Sequence, residues 1–441
     1  MQSTPLSPRC VHKFGGASLA DGERIRRVGE LLFARAPDRP IAVVSAVEGV
    51  TTQLDQLARE AAAGAVDMAR IRVRHRSLLA QLELDSEHLN RHFAELSTVL
   101  AAIRAAGELT QAQRDHVLSF GERASARIVA AHLSQRGLRA VPIDAYDLGL
   151  VTDSNHGRAR VLPHSAERVR SALERIDAIC VITGFVAADS HGRLTTLGRN
   201  GSDVSAALIG EAISAREVVF WKEVDGVMSA DPKLVPNARR IAQLGYADAR
   251  ELTHLGANVL HPEAVEVLER CQLAGRVRCT RTPGDEGTLV RAGLEPREFL
   301  GVATRSNLAL VRLRGAQDGD ARQIAAHFAS RAIDAQLVAS DAGEFTFTAA
   351  ASEALVRAAA QYARPLEVVR EVATLAIADR RGLDAQLEQT LAAIGVEPLA
   401  RWRSGASASL VFALPQARLS AAAGALHDVL QRALTPLGEA R

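Results

Sequence analysis

Short, largely apolar runs set between helical patterns constrain this chain more than any other feature. Residues 41–45 (IAVVS), 178–183 (AICVIT) and 217–221 (EVVFW) are too short for buried helices and are rich in β-branched residues. Such runs read as strands covered on both faces. A strand over 10–14 leads into Gly15–Gly16 and then a helical face of Ile25, Val28, Leu31 and Leu32. Further strand signals at 139–143 and 217–221 flank helical patterns near 165–175 and 203–213. The alternation predicts an α/β fold, a mostly parallel central sheet sandwiched by helices. Residues 52–136 lack convincing strands. Within them Leu89, Phe93, Leu96, Leu100 and Ile103 recur at spacings of 4, 3, 4 and 3, one face of a helix. This stretch predicts a helical insertion of several elements.

The pattern changes after GDEGTLV (284–290). Strand-like segments at 301–313, 333–349 and 370–377, and a hairpin-like pair at 396–413, alternate with helical ones at 319–331, 352–363, 382–394 and 418–434. Two α+β modules of βαββαβ, ferredoxin-like form account for this region. The sequence therefore divides into a flexible tail over 1–9, an α/β domain over 10–297, and a paired-module region over 298–441.

Charge excludes several function classes. The 53 basic and 51 acidic residues give a formal charge of +2, which supplies no footprint for nucleic acid or an anionic membrane. No apolar run reaches about 18 residues, so a membrane span is not expected. The opening MQSTPLSPRC lacks a signal-peptide core. Cys10, Cys180, Cys271 and Cys279 are dispersed, as in a reducing cytoplasm. Only Lys13, Lys222 and Lys233 are lysines in a chain otherwise basic through arginine, which draws attention to where an ammonium is kept.

Five motifs carry chemistry. Lys13-Phe14-Gly15-Gly16-Ala17-Ser18 lies on a strand-to-helix turn, where glycines let backbone N–H groups approach phosphate oxygens and a lysine neutralises a transferring phosphoryl group. By itself it reads equally as a tight turn, and it is not a Walker A loop. Thr195–Asp203 (TTLGRNGSD) precedes a helix. There Arg199 offers a planar fork for a carboxylate, and Asp203 is either a Mg²⁺ ligand, direct or through water, or a first-turn helix residue. Lys222–Lys233 follows a strand, where open α/β sheets place ligands. Gly256–Pro262 contains His261, which reads as a packed turn histidine. Ser119-Phe120-Gly121-Glu122 is read as opening an apolar helix, with Glu122 either a first-turn carboxylate or a receptor for a substrate ammonium.

Taken together these motifs resemble the aspartate kinases of the amino-acid kinase superfamily. KFGGAS stands for the family's KFGGTS, VVSAVEGVT (43–51) for VVSAxxGxT, and Gly121-Glu122 and Gly184-Phe185 for its GE and GF elements. TTLGRNGSD stands for TTLGRGGSD, EVDGVMSADPK (223–233) for DVxGVYTADPR, and GANVLHP (256–262) for GAKVLHP. The resemblance covers about residues 11–290, in family order, and the last 140 residues look like paired, interlocked ACT modules. It implies transfer of the γ-phosphoryl of MgATP to the β-carboxylate of L-aspartate, at the head of the pathway to lysine, threonine and methionine. It implies Lys13 and Asp203 as catalytic, with Asp203 also organising the metal, and Gly15, Gly16 and Ser202 at the phosphates. Ser45, Thr51, Phe185 and Ser202 would border the substrate, Arg199 would clamp its α-carboxylate, and Glu122 would take its α-ammonium.

The nucleotide side departs from the family pattern. Glu223 replaces Asp, Met228 replaces Tyr, Lys233 replaces Arg, Lys222 replaces a small polar residue, Asn258 replaces a lysine, and Asn200 replaces a glycine. Lys222 is expected to supply the cation missing at Asn258. In the paired modules Ser306 and Asn307 stand as a remnant effector loop. Gln336 occupies a position often held by Asp, with Ser340 and Asp341 nearby. Lysine or threonine is the implied effector, and a homodimer or tetramer through the ACT modules the implied assembly. Two alternatives remain: a diverged regulatory homologue that binds amino acids, and a kinase for another amino acid such as glutamate.

Overall fold

The computed structural model describes residues 9–198, 200–255, 260–295, 299–314, 320–331, 333, 335–341, 344–361, 366–379, 382–403 and 409–434. The chain forms two compact bodies. The first comprises residues 1–227, 242–249 and 259–294, and the second 228–241, 250–258 and 295–441.

In the first body β1 (Val11–Phe14), α1 (Gly22–Phe33) and β2 (Ile41–Val44) form the opening unit. Asp21 caps α1 by accepting the Arg24 N–H at 2.9 Å. The buried stripe of α1 is Ile25, Val28, Leu31 and Leu32. Burying each such side chain contributes roughly 1.5–3 kcal/mol. Four helices follow without an intervening strand: α2 (Val50–Ala62), α3 (Ala69–Gln81), α4 (Glu87–Ala106) and α5 (Gln111–Gln135). The stripe anticipated on α4 is buried at all five positions.

The chain continues through β3 (Ala140–Ile143), β4 (Val151–Thr152), α6 (Ser165–Glu174), β5 (Ile179–Thr183), β6 (Val186–Asp189) and β7 (Leu194–Thr196). Next come α7 (Gly201–Ala212), β8 (Val218–Lys222), β9 (Gln243–Leu244), α8 (Tyr246–Leu255), α9 (Pro262–Arg270), β10 (Gly275–Cys279) and β11 (Thr288–Val290). The main sheet has the order β3-β5-β2-β1-β8-β10-β11-β9 and is parallel except between β10 and β11. β1 therefore lies near its centre, which is why Val11 to Phe14 are all buried. A small sheet of β4, β6 and β7 lies outside that pattern and was not anticipated from sequence. Its strands are only two to four residues long, too short for period-two alternation to register.

One expectation is corrected. Residues 119–122 do not open a helix, and Glu122 is not in a first turn. α5 begins after Thr110, whose side chain and that of Gln113 form a capping box, and Glu122 sits twelve residues into the helix. The glycine before it marks a close approach instead of an end. A Cβ at Gly121 would lie 2.6 Å from the Ala46 Cβ.

In the second body β12 (Phe299–Arg314), α10 (Asp320–Ser330), β13 (Ala335–Asp341), β14 (Glu344–Ala350), α11 (Glu353–Ala359), β15 (Leu366–Asp379), α12 (Asp384–Ala393), β16 (Ala400–Arg403), β17 (Leu410–Pro415) and α13 (Leu419–Leu434) follow in order. Six strands make one antiparallel sheet, β13-β14-β12-β15-β17-β16. The long β12 and β15 pair at its centre, so the two α+β units share a sheet. A register shift between Arg305 and Leu308 leaves Ser306 and Asn307 out of the ladder. Asn307 takes φ +58° there, and its N–H donates to Gln416 Oε1 at 2.6 Å. Gln336 pairs with Thr348, and the backbones of Ser340 and Asp341 pair with Phe345 and Glu344. The side chains of Ser340 and Asp341 lie outside the described residues.

Candidate active site

Parallel strands all end at one edge of the sheet, and the loops leaving β1, β2, β5 and β8 gather there. Lys13 is the third residue of β1. Its ammonium hangs over the turn that follows, since a Cβ at Gly15 would lie 3.5 Å from Lys13 Nζ. At Gly16 the turn approaches the loop after β2 so closely that a Cβ would lie 2.8 Å from the Ala46 carbonyl oxygen. Only glycine allows that contact. Ser45 is fixed at the end of β2 by its N–H donating to the Phe14 carbonyl at 3.1 Å.

Asp203 is the third residue of α7 and is buried. Lys13 Nζ stands 2.8 Å from its Oδ1, as a charge contact that is not aligned as a hydrogen bond. Lys222 Nζ donates to its Oδ2 at 3.1 Å. Burial opposes ionisation of Asp203, but the two ammonium groups outweigh it and hold its pKa down to about 2. Burial pushes the Lys13 pKa down, and Asp203 opposes that shift. In this structure each Asp203 oxygen faces an ammonium. The Mg²⁺ contact expected of Asp203, direct or through water, would be made with the nucleotide present, because Mg²⁺ is usually held by one or two carboxylates together with substrate phosphates.

A cavity of about 430 Å³ opens beside this cluster, lined by Gly16, Ser45, Thr51, Glu122, Phe185 and Ser202, with Gly198 and Asn200 at its border. Arg199, between those two, lies outside the described residues. Glu122 is 3% exposed, and its Oε2 has no hydrogen-bond partner. Burial pushes its pKa up to about 8, against backbone N–H donors and the charge of Lys13. A buried carboxyl oxygen without a protein partner is one that water or a ligand would satisfy. Phe185 adopts φ +64°, an unusual conformation for a bulky residue, held by its N–H donating to Ser205 Oγ at 2.9 Å. Asn200 takes φ +57° immediately before α7. Asparagine is the side chain that best tolerates that region, so it can stand where the resembling family has glycine.

Of the residues expected on the nucleotide side, the first body contains Lys222 and Glu223. Glu223 Oε1 accepts from Ser18 Oγ at 3.0 Å and Thr280 Oγ1 at 2.7 Å, so it ties the glycine turn to the end of β10. Met228 and Lys233 belong to the second body, where Met228 bridges Arg240 and the Lys233 N–H donates to Asp231 Oδ1 at 2.9 Å. Asn258 lies outside the described residues. His261 precedes α9, and its pKa is lowered by burial.

Two site residues escaped the sequence reading. Arg114 lines the cavity. Asp115, fully buried on α5, accepts from the N–H groups of Gly157 (2.8 Å) and Thr196 (3.0 Å) and from Thr196 Oγ1 (2.8 Å). It pins two loops of the cavity wall. Its only sequence signal is its place seven residues before Glu122, two helical turns away on the same helix face.

Comparison with known proteins agrees with this geometry. The chain belongs to the amino acid kinase family, whose model matches residues 8–279. It is 32% identical over 293 residues to Aspartokinase 1, chloroplastic, of Arabidopsis thaliana, covering 64% of this chain and 52% of that one. The chain thus spans about half the length of that relative. Its fold matches that of E. coli aspartokinase III in complex with aspartate and ADP (R-state), with a TM-score of 0.79 and 25% identity over 96% of this chain and 100% of that one. The same E. coli enzyme in complex with lysine and aspartate (T-state) matches with a TM-score of 0.76 and 25% identity. Among the described residues no helix is long and apolar enough to cross a membrane.

Proposed function

We propose that the chain is an aspartate kinase, transferring the γ-phosphoryl group of MgATP to the β-carboxylate of L-aspartate to give 4-phospho-L-aspartate and ADP. The observation that carries this reading is the unpaired, buried Glu122 carboxyl in the wall of a cavity that Gly16 and Ser202 also line, Ser202 being next in sequence to the Asp203 on which Lys13 and Lys222 converge. Relatives named aspartokinases, and the likeness to a structure holding aspartate and ADP, support the choice of substrates.

A β-carboxylate oxygen attacks the γ-phosphorus, and the bond from that phosphorus to the β,γ-bridging oxygen breaks. The acceptor is already an anion at neutral pH, so no general base is required. The barrier lies in bringing anions together, and positioning with fixed positive charge lowers it. Lys13 meets the transferring phosphoryl. Gly15, Gly16 and Ser202 border the phosphates, while Ser45, Thr51 and Phe185 shape the acceptor pocket. Glu122 receives the α-ammonium, and Arg199 takes the α-carboxylate. Asp203 holds the lysines in register.

The six-stranded sheet, its kink at Ser306–Asn307, and the lysine complex of the E. coli relative support an amino-acid effector, lysine or threonine, and assembly as a homodimer or tetramer through this region. Four unpaired thiols agree with a cytoplasmic setting. An aspartyl-hydroxamate assay with MgATP, with and without lysine and threonine and with glutamate as a competing acceptor, tests the reading. No product from aspartate would refute it.

A further inference from the structure

The structure gives Lys222 a position that the strand it ends does not require. β8 runs parallel to β1 with Lys13 opposite Phe220 and Phe14 opposite Trp221. Side chains alternate along a strand, so Lys222, two residues past Phe220, emerges on the same face as Lys13. Trp221 takes the other face, fully buried, with its indole N–H donating to His12 Nδ1 at 3.1 Å. That contact fixes the strand from behind. Lys222 therefore meets Asp203 from one side while Lys13 meets it from the other, at 3.1 and 2.8 Å.

Two ammonium groups share one carboxylate beside the glycine turn. The two lysines differ in access. The Lys13 side chain is 7% exposed and that of Lys222 is 20% exposed. An ammonium carries three donors, and Asp203 takes only one from Lys222.

We propose that Lys222 is a second phosphate-binding ammonium of the transfer site, held on Asp203 in the free protein and donating to the terminal phosphates of a bound nucleoside triphosphate. This rests on the kinase reading above. A compact charge on a flexible stem is suited to exchanging a carboxylate for a phosphate oxygen. Lysine charge then supplies part of the neutralisation that a metal alone would have to provide, so triphosphate binding depends on Lys222 most when metal is absent.

Calorimetric titration of the intact chain with adenylyl imidodiphosphate, in Mg²⁺ and in EDTA, and with adenosine, tests this in wild type, K222M, K222Q and K222R. Removing a charge-assisted contact should weaken triphosphate binding about tenfold or more. The loss should be larger in EDTA than in Mg²⁺, adenosine binding should be unchanged, and K222R should recover part of the loss. Two neutral variants guard against a folding artefact, checked by circular dichroism. Unchanged triphosphate affinity in both folded neutral variants overturns the inference and leaves the kinase reading standing. Equal weakening of adenosine overturns it too, since that marks a structural role. A wild-type chain that binds no triphosphate overturns both.

Discussion

Glu122 gives the sharpest test of the site. It is buried, one oxygen is unpaired, and its pKa in the free protein is raised to about 8, chiefly by burial. Receiving a substrate ammonium requires the ionised form. At pH 7 a carboxyl with that pKa is mostly protonated, and each unit below the pKa costs about 1.4 kcal/mol to ionise. The KM for aspartate should therefore rise about tenfold per pH unit as pH falls from 7 to 6 and level off above about 8, with kcat changing less. Glu122→Gln should raise KM at pH 8 and flatten its pH dependence. The stability sign is also fixed. A carboxyl pKa raised on folding means the native state binds the extra proton between about 4.5 and 8. Wild type should thus lose stability relative to Glu122→Gln as pH rises across that window. Steady-state kinetics from pH 6 to 8.5 and urea melts at matched pH read both effects. A flat wild-type KM, or an unchanged pH dependence in Glu122→Gln, would refute the assignment.

Lys13→Ala should lower turnover about 10²–10³-fold or more, by analogy with lost transition-state donors, and near wild-type turnover would remove Lys13 from the reaction. Asp115→Asn replaces an acceptor of three donors with a group that must turn an NH₂ toward some of them. It should cost about 1–3 kcal/mol in denaturant melts and raise the KM for aspartate through the loosened loops. Asn200→Ala should cost roughly 1–2 kcal/mol because φ is +57° there, whereas Asn200→Gly should be tolerated; equal melting of the two variants would count against backbone strain.

The parts of this protein written as periodic patterns are legible in the sequence. The five-residue stripe of α4 is buried as its spacing requires, and the strand runs at 41–45, 178–183 and 217–221 fall in one sheet. Position within a longer element was harder to read. Gly121 looks like punctuation in a linear sequence, but α5 passes through it because Ala46, 75 residues away in the chain, needs the space. The small sheet of β4, β6 and β7 has strands too short to leave a pattern.

The sequence by itself determined the alternation of strands and helices, the glycine turn after Lys13, and the acidic residue that opens α7, since these depend on neighbours within a few residues. Tertiary structure alone decided what their charges mean. Two strands running in register bring Lys13 and Lys222 to the two oxygens of Asp203. Glu122 could have been an ordinary helix carboxylate, and burial raises its pKa to about 8 and leaves one of its oxygens without a protein partner. Asp115 had no motif at all. Its role appears only once residues 115, 157 and 196 meet, because hydrogen bonds and desolvation are set by distance in space and not by separation along the chain.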